Sequence, residues 1–136
     1  MSAIDTVLPR LKVEEGFRSA LYRDTRGFQT IGYGFNVDAG LTEYAASGLL
    51  QAQVEELHRA LLVYQWYGVL DPVRQSACLD IAFNTGLHGF VNGFPHLIGA
   101  LSRSDWITAE SECAVSNPEL KARYDELGKI FLTGVA

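Results

Sequence analysis

EEGFRSALYRDTRGFQTIGYGF, residues 14 to 35, is the stretch whose reading decides the fold. Ahead of it, Ile4, Val7, Leu8 and Leu11 recur at helical spacing, with Pro9 expected near the first turn, where a missing N–H costs least. Glu14 and Glu15 close that pattern, and Gly16 is placed to cap the helix in a left-handed conformation. The aromatic and β-branched residues that follow, broken at Asp24 and Gly27, predict a short antiparallel hairpin turning near Asp24–Gly27. The stretch thus sets one carboxyl, Glu15, at a helix end and a second, Asp24, in the turn nine residues on. A hydroxyl, Thr30, follows on the returning strand after six more.

Glu15 sits where helix carbonyls point outward, and their partial negative charge disfavours an ionised side chain, which suits a proton donor. Asp24, in an open polar turn, is expected to stay ionised. Two carboxyls kept chemically unlike by their surroundings are what glycosidic bond cleavage uses. Thr30 is placed to orient a water. The same residues also fit an ordinary helix-to-hairpin corner with solvated acids, and spacing alone leaves both readings standing.

Outward from this stretch the chain reads as helical. Asn36 to Gly40 is expected to be a loop. Thr42 is a cap for a long helix carrying Leu50, Val54, Leu57 and Leu61 as one apolar stripe, which Gln65 to Leu70 interrupts. Asp71-Pro72 is a cap with proline at the first helical position, opening a helix to Gly86. Residues 87 to 94, rich in glycine, read as a loop, and Pro95 starts a short helix towards Leu101. Ser104 is expected to cap another, running to about Val115. Asn117-Pro118 repeats the cap-then-proline device before a last helix with Leu120, Tyr124, Leu127 and Phe131 on one face.

Composition narrows the function. The chain has 136 residues, 48% of them hydrophobic, enough for one sizeable core. The net charge of -5 carries no basic face, which disfavours nucleic acid as a partner. No run of 18 apolar residues suggests membrane insertion, and the charged start MSAIDTVLPRLKVEEGF has no signal-type core. Cys78 and Cys113 lack metal-ligand spacing and read as two buried thiols of a reducing compartment. His58, His88 and His96 suggest no metal site, so neither metal nor cofactor is expected; His88 alone falls near the supposed site. Trp66 and Trp106 read as core.

Glu15, Asp24 and Thr30, set in EGF–LYRDTRGFQTIGYG, resemble the signature of the phage-type lysozymes, glycoside hydrolase family 24, the T-even endolysin group. That motif is Glu-Gly, eight residues to Asp, five to Thr, then Ile-Gly-x-Gly, and each element stands here. LLQAQVEELHRAL resembles the family's long connecting helix, and RQSACLDIAFNTG, residues 74 to 86, its central buried helix. GFPHLIGALSRSDW and the segment from Arg123 to Gly134 resemble its C-terminal helices.

The resemblance implies an α+β, lysozyme-like fold, mainly helical, as a single catalytic domain over 1–136. A small N-terminal β-hairpin lobe of about 16–40 and a helical lobe of about 66–136 would be joined by a long helix of about 43–64, with the cleft between them. It implies a monomeric muramidase acting on bacterial peptidoglycan by inversion. Glu15 would be the acid and Asp24 the base, with Thr30 holding the water and the carboxyls about 6.5–9.5 Å apart. Phe83, Asn84 and Gly86 would face the sugar chain, and Arg123 would pair with Glu15. Such a protein is expected in the host cytoplasm after synthesis, reaching the wall through a holin or within a phage tail assembly. The alternatives are a peptidoglycan-binding module without catalysis and a hydrolase of another N-acetylhexosamine polymer such as chitin.

Several positions depart from the family pattern. Phe35 stands where many members carry histidine, which implies a lobe junction held by packing. Leu97 and Glu112 replace residues that touch sugar in relatives. The loop from Asn36 to Gly40 is short, and the acidic net charge offers little steering toward an anionic wall.

Overall fold

The computed structural model describes residues 1–136 as two compact units, Met1–Gly48 and Leu49–Ala136. The first holds helix α1 (Ala3–Glu15) and a three-stranded antiparallel sheet of order β1-β2-β3, with β1 Arg18–Arg23, β2 Gln29–Gly32 and β3 Phe35–Asn36. Ser2 and Asp5 form a capping box, Ser2 Oγ accepting from the Asp5 N–H at 3.1 Å and Asp5 Oδ2 from the Ser2 N–H at 3.0 Å. This reciprocal cap starts the helix at Ala3, so Pro9 falls inside α1 rather than in its first turn. Gly16 ends α1 at φ 67°, ψ 152°, a positive-φ conformation outside the left-handed helical region, because the chain enters β1 almost at once.

The hairpin turns where the sequence predicts. Tyr22 pairs with Thr30 and Arg23 with Gln29, and the register shifts between Arg18 and Tyr22. A third strand, read as loop from sequence, pairs Thr30 with Asn36 and Ile31 with Phe35. Asn36 then caps a 3-10 turn over Val37–Ala39, and Asp38 Oδ2 takes the Gln29 N–H at 2.8 Å, tying the turn back to β2. Two residues are too few for periodicity to mark a strand, which is why β3 escapes the sequence.

Helix α2 (Glu43–Leu61) is capped by Thr42 Oγ1, which accepts from the Ala45 N–H at 3.1 Å. It is followed by α3 (Gln65–Gly68), α4 (Pro72–Thr85), α5 (Leu87–Gly93), α6 (Pro95–Ser102), α7 (Trp106–Glu112) and α8 (Pro118–Thr133). This is the α+β, lysozyme-like fold, mainly helical with one small sheet. None of its helices is long and apolar enough to cross a membrane.

Every buried apolar residue lies between Leu61 and Phe131, so the core belongs to the second unit. All of the segment 87–94 but its last residue is helix α5 rather than a loop, because Leu87, Phe90 and Val91 repeat at helical spacing and Phe90 is fully buried. Burial there outweighs the roughly 1 kcal/mol that each helical glycine costs. Ser104 does not cap α7. It has φ 55°, and Asp105 takes the role, accepting from the Thr108 N–H at 3.1 Å in a helix that stops at Glu112. Asp71 and Asn117 cap α4 and α8 as predicted. Both cysteines are free and buried. Arg74 closes this unit. Its Nε donates to the Phe131 carbonyl at 2.8 Å, Nη1 donates to Asp71 Oδ2 at 2.9 Å, and the guanidinium lies 3.9 Å over the Trp106 ring.

Candidate active site

Glu15 is the last residue of α1, and its carboxyl rests against the β2–β3 turn of the same unit. A β-carbon on Gly34 would lie 2.7 Å from Glu15 Oε2 and 3.3 Å from its carboxyl carbon. Gly34 also has φ +77°, so two independent facts require glycine there. The turn is held on this side by Tyr33, whose ring meets Phe17 at 5.5 Å and lies 5.8 Å from Lys12 Nζ. Within this unit no basic side chain pairs with Glu15, which is exposed.

Asp24 organises the opposite end of β2. Its Oδ1 accepts the Arg26 and Phe28 N–H groups, each at 2.9 Å, in an Asx turn. Its own N–H donates to the Phe28 carbonyl at 2.9 Å. Thr30, only 3% exposed and the one buried polar residue of the chain, donates Oγ1–H to that same Phe28 carbonyl at 2.9 Å. Asp24 and Thr30 are therefore fixed to one backbone atom. Asp24 Oδ2 and the lone pairs of Thr30 Oγ1 are left without a protein partner.

The strand register gives the separation of the two acidic anchors. Ile31 pairs with Phe35, so Gly34 lies level with Gly32, four residues from Phe28. That is about 13 Å of strand, at roughly 3.3 Å per residue. Asp24 Oδ1 is pinned by two N–H groups, whereas no hydrogen bond holds the Glu15 carboxyl. No hydrogen bond joins the two carboxyls directly.

The other four predicted residues belong to the second unit. Phe83 is 45% exposed and lines a groove with Val54, Leu79, Asp80 and Arg123. Asn84 is exposed, and its Oδ1 accepts the Tyr124 O–H at 2.8 Å. Gly86, at φ +80°, is the joint between α4 and α5. The resemblance assigned Arg123 to Glu15, whereas here its Nε donates to Asp80 Oδ1 at 2.7 Å. Asp80 and Tyr124 are side-chain partners of these residues that the sequence reading did not pair with them. The signal available was that residues 80 and 84 stack one turn apart on α4, facing consecutive residues of α8.

Other sequence expectations resolve as structure. Leu97 is 1% exposed and belongs to the core, so it offers nothing to a sugar. Phe35 is 60% exposed, its ring resting on Gly32 rather than in a packed junction within its unit. His58 Nδ1 meets the buried Tyr67 hydroxyl at 2.7 Å, and His88 is an exposed residue of α5. Trp66 and Trp106 pack against the core.

Comparison with known families gives a match over most of the chain. The family model described as phage lysozyme covers residues 12–122 of this chain. That segment contains Glu15, Gly34, Asp24, Thr30, Phe83, Asn84 and Gly86, and Arg123 lies one residue beyond it.

Proposed function

The chain belongs to the phage lysozyme family, and from this premise we propose that it hydrolyses the β-1,4 bond between N-acetylmuramic acid and N-acetylglucosamine. The family makes it a glycoside hydrolase of bacterial peptidoglycan; bond, stereochemistry and residue roles are the proposal. Glu15, as the protonated acid, donates its proton to the glycosidic oxygen while the bond from that oxygen to C1 breaks. A water bonds to C1 from the opposite face, and Asp24 Oδ2 takes its proton. Thr30 already donates to the Phe28 carbonyl, so it serves that water as an acceptor. Proton exchange with solvent resets both carboxyls. Phe83, Asn84, Gly86 and Arg123 bind the glycan.

The observation that carries this reading is the family match over residues 12–122, which takes in all three residues of the proposed reaction. Inversion is the part of the proposal that needs the carboxyls about 6.5–9.5 Å apart, whereas retention brings them to about 5–5.5 Å. Delivery would be through a holin pore or within a virion.

A turbidity assay on outer-membrane-permeabilised cells tests it. The parent protein clears the suspension and Glu15→Gln does not; equal clearing by both would end the proposal. Mass spectrometry of the fragments should find muramic acid at the reducing end, which a chitin hydrolase would not leave. NMR should show the inverted anomer first.

A further inference from the structure

We propose that Tyr124 is a positioning residue that fixes the Asn84 amide so that its N–H donors, not its carbonyl, meet the acetamido carbonyl of the bound sugar. The inference rests on the reading above, that the α4 end bearing Phe83, Asn84 and Gly86 faces the glycan, and it adds a residue to it.

The orientation follows from counting donors and acceptors. Tyr124 is 1% exposed, its ring stacked at 10° on Phe94, so its hydroxyl hydrogen needs a protein acceptor. Asn84 Oδ1, at 2.8 Å, is the only partner that hydroxyl has. Turning the amide over would aim Nδ2–H at the phenol oxygen and strand the phenol hydrogen in the core. A buried group left unmatched costs more than the bond itself is worth. Burial also pushes the Tyr124 hydroxyl above its usual range, its largest influence, so it remains a donor at working pH.

Asn84 itself is exposed, and both Nδ2 hydrogens lack a protein acceptor. The amide therefore presents two donors and no acceptor to solvent. A donor-only surface selects a ligand group that only accepts, and on an N-acetylated glycan that group is the acetamido carbonyl. Hydroxyls fit less selectively, since they bond either face of an amide. A site built to hydrogen-bond a group discriminates strongly against the analogue lacking it. The neighbouring Asp80–Arg123 pair adds order to the same two helices, fixing α8 against α4 one turn earlier.

The test measures binding of a β-1,4-linked N-acetylglucosamine tetramer and of its fully deacetylated counterpart, by calorimetry. The proteins are the full-length parent, Tyr124→Phe, Asn84→Ala and the double variant. Tyr124→Phe keeps the ring and its stack on Phe94. It should weaken the acetylated tetramer about five- to tenfold, leave the deacetylated one unchanged, and do nothing further in the Asn84→Ala background. Should Tyr124→Phe unfold, the Asn84 side-chain amide of the parent is followed by NMR, and its Nδ2 protons must shift on addition of the acetylated tetramer and not of the deacetylated one. Equal loss for both tetramers, no loss for either, or loss persisting without Asn84 overturns the proposal. So does a parent protein that binds neither. None of these readouts depends on Glu15, so bacteriolysis by Glu15→Gln tests the reaction separately.

Discussion

Replacing Gly34 with alanine separates the position of Glu15 from the stability of the hairpin. The new β-carbon would lie 2.7 Å from Glu15 Oε2, against 3.4 Å for ordinary contact. The carboxyl must therefore retreat by about 0.7 Å, and it sits at the end of a flexible side chain, so the clash itself costs little folding energy. A misplacement of roughly 1 Å costs about 100-fold in rate when a reaction depends on alignment. We expect kcat to fall about 10- to 100-fold. The backbone at φ +77° adds about 1–2 kcal/mol of strain for any residue with a β-carbon. Gly40→Ala supplies the control, since Gly40 has φ +76° and nothing within 4 Å of its would-be β-carbon. Both variants should lose similar thermal stability, and only Gly34→Ala should lose turnover on permeabilised cells. Equal kcat for the two would refute the claim that the glycine holds Glu15 in a working position.

Asp24→Asn keeps an Oδ1 acceptor for the Arg26 and Phe28 N–H groups, so melting should stay near that of the parent. Turnover should fall about 10²- to 10⁴-fold through loss of the base; retained lysis would remove Asp24 from the mechanism. Arg74→Met should cost about 2–4 kcal/mol in denaturant unfolding, because the 13%-exposed side chain bonds Asp71 and the end of α8; a change below 1 kcal/mol would contradict that role. Burial is the largest single influence on Asp71 and raises its carboxyl, but hydrogen bonds and charge from Arg74 together outweigh it and leave it below the ordinary 3.8. Its stabilisation is thus complete above that value and lost as pH falls through the lower folded-state value. Asp71→Asn should flatten this part of the acid unfolding curve, and an unchanged curve would count against it. Burial, then the Glu110 and Glu112 charges, push the Cys113 thiol up to about 12, and burial raises Cys78 as well. Neither should react with an aromatic disulfide reagent at pH 8 until the protein unfolds; rapid labelling of the native chain would show otherwise.

Those elements of the fold with a local chemical signature were legible. Asp71-Pro72 and Asn117-Pro118 announce helix starts because a capping oxygen and a proline without an N–H act within three residues. The hairpin was legible from Asp24, whose side chain makes the turn itself. What escaped depended on tertiary burial or on length. α5 exists because Phe90 is buried despite Gly89 and Gly93, and β3 because Asn36 and Phe35 meet β2 over two residues. Pro9 misled because the capping box of Ser2 and Asp5 lies upstream of it and sets the helix start alone.

The site was legible to a different depth. Glu15, Asp24 and Thr30 stand out in sequence by residue type and spacing, yet the atoms that hold them are backbone atoms, which no side-chain pattern displays. The Phe28 carbonyl fixes both Asp24 and Thr30, and Phe28 carries no chemistry of its own. Gly34 is visible as a glycine, but the approach of Glu15 that demands it is visible only in three dimensions. The first unit has almost no core, so these hydrogen bonds and glycine contacts, rather than apolar burial, define where its two carboxyls sit. Substitutions that preserve every side chain named in a motif can therefore still misplace the reacting groups. Proline at position 28 would be the sharpest case. It would delete the N–H that Asp24 accepts, and the turn would lose its register while Glu15, Asp24 and Thr30 all remained.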